Sequence, residues 1–125
     1  MKSERRNGDR YCFNLELQPE GELLLLVAGQ TYEVWKLLDI SPFGTGLSVD
    51  EYIGAEGEVT LQYRCDENDI KVFATVAWSG LENSQEEGGG FRVGLQFNRD
   101  EMELNVALFK ALTAPVVETR TGAYN

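Results

Sequence analysis

The chain is written in short segments whose apolar residues fall on every second position, and few folds accept that pattern. Phe91, Val93, Leu95 and Phe97 alternate in this way, as do Ile70, Val72, Ala74, Val76 and Trp78, and Val59, Leu61 and Tyr63. A period of two puts successive side chains on opposite faces of an extended chain, so each segment reads as a strand with one buried face. Residues 11–17 follow the same rule, with Tyr11, Phe13, Leu15 and Leu17 on one side, until Pro19, Glu20 and Gly21 break it. The apolar run 23–28 ends at Gly29-Gln30 and the pattern resumes over 32–38, which predicts a hairpin or neighbouring strands. Residues 41–46 read as a turn, 47–49 as a short strand, 66–69 as the hydrophilic turn of an antiparallel hairpin, and 84–90 as a polar, glycine-ended loop. Many short strands at close spacing predict an all-β domain, a closed antiparallel barrel.

One helix follows. Asn98 and Glu101 have capping-pair spacing, and residues 100–112 contain no glycine or proline, which predicts about three to four turns ended by Pro115. On a helical wheel Leu104, Leu108 and Leu112 form one stripe while Met102, Val106 and Phe109 lie across from it, leaving Glu103 and Lys110 on a narrow polar edge. Such a helix is either embedded in the domain or lays one stripe on the barrel and offers the other to a partner, a second copy of the chain included. The expected organisation is a flexible arginine-rich loop over 1–10, the barrel over 11–98, the helix over 99–114 and a tail over 115–125.

Composition narrows function. A chain of 125 residues is one domain, and its longest apolar run, six residues over 23–28, is far short of the ~20 needed to span a bilayer. A cytoplasmic protein without membrane insertion is expected, with Cys12 and Cys65 as free thiols of no assigned role. Histidine is absent, which removes the commonest general base and nucleophile activator, and no lysine stands near the motifs described next, so no enzyme is expected. The net charge of −10 disfavours DNA or RNA as a partner. Residues 1–10 nevertheless carry Lys2, Arg5, Arg6 and Arg10 against Glu4 and Asp9, a local +2, while the remainder holds seven cations against nineteen anions, a local −12. That segment is either a solvated basic tail or a small anion site. Three arginines rather than lysines favour planar groups that take forked hydrogen bonds, such as phosphates and guanine.

Two motifs frame the first half of the chain. Arg6-Asn7-Gly8-Asp9-Arg10 sets two arginines four apart before the first strand, and Asp39-Ile40-Ser41-Pro42-Phe43-Gly44 sets a carboxylate, a hydroxyl and a glycine at the end of a later one. The first spacing is common by chance, whereas the second turns up in only about a few per cent of chains this size. Found in this order, they resemble the PilZ domain family, whose pattern is Arg-x-x-x-Arg followed some thirty residues later by Asp/Asn-x-Ser-x-x-Gly. The resemblance runs over residues 4–97 and includes Ala77-Trp78-Ser79 and the strand 91–97. It implies a six-stranded antiparallel barrel with one C-terminal helix, binding the bacterial second messenger cyclic di-GMP without other cofactors and passing its presence to a downstream protein. By motif, Arg6 and Arg10 are implied to bind phosphate and guanine, with Asp39, Ser41 and Gly44 as the opposing wall; Arg5 either meets a second nucleotide or faces solvent.

The chemistry fits the implied ligand. Guanine O6 and N7 are adjacent acceptors for one guanidinium, and its N1–H and exocyclic amine are donors for a carboxylate such as Asp39. Ser41 offers a hydroxyl contact, and Gly44 is expected to allow an unusual backbone angle and close ligand approach. The tyrosines, tryptophans and phenylalanines are assigned to core or barrel surface rather than to base stacking, because they sit inside strand patterns. The alternative to a cyclic di-GMP receptor is a protein-interaction module of the same fold that binds no nucleotide.

Overall fold

The computed structural model describes residues 10–14, 17–51, 53, 57–81 and 90–114. Its strands are β1 (Tyr11–Cys12), β2 (Glu22–Val27), β3 (Gln30–Ser41), β4 (Gly44–Val49), β5 (Glu58–Cys65), β6 (Asn68–Leu81) and β7 (Phe91–Phe97), followed by a 3-10 turn (Arg99–Glu101) and the helix α1 (Met102–Thr113). All pairings are antiparallel, and the order β3-β2-β5-β6-β7-β4 closes on itself through β3–β4 into a six-stranded barrel, with β1 as an extra strand on β3. Closure buries the inward row of every strand, including Leu25, Leu37, Ile40, Leu47, Leu61, Val72, Val93 and Phe97, and abolishes most free edges.

Short turns set the register. Ala28 (φ 51°) and Gly29 (φ 82°) are both left-handed, the geometry that suits the twist of a two-residue hairpin between Val27 and Gln30. Pro42-Phe43 is the whole turn between β3 and β4, so β4 starts at Gly44, earlier than the expected 41–46 turn allows. At the entry to β2, the Tyr63 hydroxyl donates to the Glu20 carbonyl at 2.6 Å. Burial, helped by a hydrogen bond with Cys65, pushes the Tyr63 phenol well above the ordinary tyrosine range.

Two strand expectations change. The pattern over 11–17 yields only the two-residue β1: Phe13 N–H still donates to the Leu38 carbonyl (2.9 Å), but Leu37 is then satisfied on both its N–H (2.6 Å) and its C=O (3.1 Å) by the side-chain amide of Gln18. A side chain replaces the strand there, the chain leaves the sheet, and Leu17 is 74% exposed. In β6 the register steps from Val76↔Leu95 to Trp78↔Gly94, leaving Ala77 as an extra residue. This β-bulge reverses the alternation, so Trp78 points outward, whereas strict period two would put it beside the buried Val76.

The helix opens with a real cap in a different form from the expected box. Asn98 Oδ1 accepts from Asp100 N–H (2.8 Å), and Glu101 N–H donates to the Asn98 carbonyl (3.2 Å), so the first turn is 3-10 and α1 starts at Met102. Leu108 and Leu112 are buried, Leu104 and Phe109 pack beside them, and the helix lies chiefly on β6. Fully buried Asn105 ties it to the end of β7 by donating Nδ2–H to the Asn98 carbonyl at 2.9 Å. Among the described residues no helix is long and apolar enough to cross a membrane.

Because Leu108 belongs to the same buried cluster as the barrel residues, Leu108→Ala is expected to cost about 3 kcal/mol while helix and barrel still unfold in one transition. Urea denaturation followed at both helix and tryptophan signals checks this; a helix that melts separately contradicts the shared core.

Candidate functional site

The sequence motifs converge on the outer face of the barrel. Pairing places Asp39 of β3 opposite Gly46 of β4, Gly46 opposite Gly94 of β7, and Gly94 opposite Trp78 of β6. Cross-strand partners share a face, so this row presents a carboxylate at one side, two glycines as floor and an indole at the other side. Three strand spacings separate the outer members, about 14 Å. The result is a groove of about 370 Å³ lined by Arg10, Asp39, Phe43, Gly44, Trp78 and Gln96 together with the strand backbone between them.

Asp39 is held from two directions. Its Oδ1 accepts from the backbone N–H of Gly46 at 2.9 Å and from Arg10 Nη1 at 2.6 Å, while its own carbonyl accepts from Thr45 Oγ1 at 2.5 Å. Both side chains of the ion pair are about one-third exposed, and a solvent-screened pair of this kind contributes only about 0–1 kcal/mol. Arg10 can therefore part from Asp39 at small cost, whereas the Gly46 bond keeps the carboxylate in place.

Ser41 and Gly44 shape the turn beside the groove. Ser41 is buried and its Oγ accepts from Phe43 N–H at 3.1 Å, which rigidifies the Pro42-Phe43 corner. Gly44 does not adopt the unusual backbone angle expected of it; its φ is not positive. It is required for another reason: a Cβ there would lie 2.3 Å from the Leu95 carbonyl oxygen, so only glycine lets β4 and β7 approach this closely. Arg5 and Arg6 lie outside the described residues.

Trp78 is the residue that the sequence reading did not single out. It is 50% exposed and its ring lies flat on Gly94, where a Cβ would fall 2.2 Å from the indole Nε1. The signal was divided between a bulge in β6 and a glycine on the neighbouring strand, and pattern reading along one strand cannot combine them.

The contact between Trp78 and Gly94 predicts that Gly94→Ala displaces the indole. In a Trp35→Phe background, where Trp78 is the remaining tryptophan, the variant should shift the emission maximum and lose about 1–2 kcal/mol of stability by overpacking. Unchanged emission and stability would mean that the indole does not rest on that floor.

No family model matches the sequence, and no curated protein matches it. Solved structures do. The PilZ domain of YcgR from Escherichia coli, solved with c-di-GMP, superposes with a TM-score of 0.67 at 13% identity, covering 91% of this chain and 93% of that one. The K. pneumonia MrkH–c-di-GMP complex gives 0.59 at 14% identity over 88% of this chain, and Borreliella burgdorferi PlzA in complex with c-di-GMP gives 0.56 at 12% over 97%. The match spans about half of each of those two chains, 52% and 55%. A barrel closed through β3–β4, a single helix after its last strand and three such superpositions agree: this chain has the fold of a PilZ domain.

Proposed function

We propose that the protein is a non-catalytic receptor for cyclic di-GMP and that the groove between Asp39 and Trp78 is its binding site. The observation that carries this reading is the Arg10–Asp39 pair on the rim of a glycine-floored groove whose far wall is an exposed indole. In the bound state Asp39 accepts from guanine N1–H and the exocyclic amine, Arg10 turns from Asp39 to the O6/N7 edge or to phosphate, and Trp78 offers its face to a base. At Gly46 the missing Cβ lets a flat ring system lie against backbone, beside the indole that covers Gly94. The structural neighbours, each solved with c-di-GMP, support the same ligand.

Signalling on this reading needs no chemical step. After Met1 the segment up to Arg10 has no apolar side chain, includes Gly8 and places Arg5 beside Arg6. An anionic ligand neutralises these like charges and draws the loop onto the barrel, creating a composite surface for a downstream protein in the cytoplasm. Amide protection over residues 5–10 should then rise on adding cyclic di-GMP while β5 and β6 change little; protection already present without ligand would contradict the relay.

Calorimetric titration tests the receptor itself. Wild type should bind cyclic di-GMP, and Arg10→Ala should bind at least about tenfold more weakly, the loss of a charge-assisted bond of about 1.5 kcal/mol or more. Cyclic di-AMP should be rejected by at least about tenfold, because adenine sets an acceptor at N1 against Asp39 and has no amine at C2. Absence of wild-type binding would leave the protein-interaction module, and equal binding of both dinucleotides would remove Asp39 as the guanine reader.

A further inference from the structure

A second, larger concavity of about 780 Å³ adjoins the first. Its lining includes Glu58, Thr75, Phe73, Gln96 and Arg99, and Gln96 lines both. Gly44, Gln96, Thr75 and Glu58 form one continuous cross-strand row, so the two hollows are neighbours across Gln96. Arg99 stands at this junction. Its guanidinium carbon lies 5.9 Å from the centre of the Phe43 ring, and Phe43, 48% exposed, lines the first groove.

Two features leave Arg99 weakly held. Among the described residues it has no carboxylate partner, unlike Arg10 on Asp39 and Arg64 on Glu22. It also sits in the 3-10 turn that leads into α1, at the helix end where the backbone dipole disfavours a cation. A guanidinium resting over an exposed ring at the outer limit of a cation–π contact is weakly held. In a protein of net charge −10, such an arginine over Phe43 at the border of a groove that Arg10 also lines is poised for an anion.

We infer that Arg99 is a further anion-binding residue of the nucleotide groove, contacting the phosphodiester that Arg10 does not reach. The inference rests on the receptor reading above and extends it. Gly46, beside Asp39 and Arg10, and Gly44, beside the Phe43 corner, are two residues apart on β4, about 7 Å. The two arginines thus mark different ends of the groove, and a cyclic dinucleotide carries two phosphates on one ring. On binding, Arg99 exchanges its contact with Phe43 for a charge-assisted, forked bond to phosphate, while Phe43 is freed to cover the ligand.

The test compares Arg99→Ala, Arg99→Gln and Arg99→Lys with Arg10→Ala by calorimetric titration of cyclic di-GMP at low and at physiological salt, with thermal melts of each variant. The alanine and glutamine variants should bind about five- to tenfold more weakly than wild type, with a shallower salt dependence. Lysine should recover part of the loss, and the melting temperature should stay level or rise. A purely structural residue would instead lower the melting temperature. Wild-type affinity and salt dependence in Arg99→Ala and Arg99→Gln, with binding lost in Arg10→Ala, would overturn the role of Arg99 alone. Failure of wild type itself to bind would overturn the receptor reading and this inference with it.

Discussion

The hydrogen bond from Gly46 N–H to the Asp39 carboxylate is the joint on which the site depends. It spans β3 and β4, the pair through which the barrel closes. The same carboxylate oxygen holds Arg10, and Thr45 fixes the Asp39 backbone from the other side. Closure of the fold and orientation of the Asp39 carboxylate are therefore one arrangement: the strand pairing that completes the barrel also aims Asp39 across the floor. An aspartate at this place is held by a backbone donor, which does not leave when a ligand arrives, and by a side chain, which can.

Glycine gives the floor its shape. At Gly44 the constraint is the Leu95 carbonyl, and at Gly94 it is the indole of Trp78. Neither depends on a left-handed backbone; both depend on the missing Cβ. Side chains in this row would fill the groove and lift Trp78 away from the sheet. Asp39 and Trp78 thus stand on paired strands, with the Ser41–Phe43 corner held by its own hydrogen bond. Adaptable parts are left to arginines, whose long side chains change partners at little cost.

Much of this was legible in the sequence, and the remainder failed for identifiable reasons. Alternation placed β7 at 91–97 and a hairpin turn over 66–69, which the structure narrows to Asp66-Glu67, because a barrel strand with one buried face must alternate. The Arg-x-x-x-Arg and Asp-x-Ser-x-x-Gly motifs led directly to Arg10 and Asp39, which the fold brings within 2.6 Å. Residues 11–17 misled because the backbone of Leu37 is satisfied by the Gln18 side chain, a substitution for strand pairing that no periodicity announces. Trp78 misled because a single extra residue, Ala77, turns it from the core to the groove. Gly44 lacks the unusual backbone angle expected of it: the constraint is a strand carbonyl, visible only once β4 and β7 are paired.

Recognition of nucleotide on the outer face between Asp39 and Trp78 can be followed by amide and indole chemical shifts of the isotopically labelled protein during titration with cyclic di-GMP. The largest changes should fall on the amides of Gly44, Gly46 and Gly94 and on the indole N–H of Trp78, with Val59, Leu61 and the buried face of α1 nearly unmoved. Shifts centred on β5 or the helix, with Gly46, Gly94 and Trp78 unchanged at saturation, would contradict it.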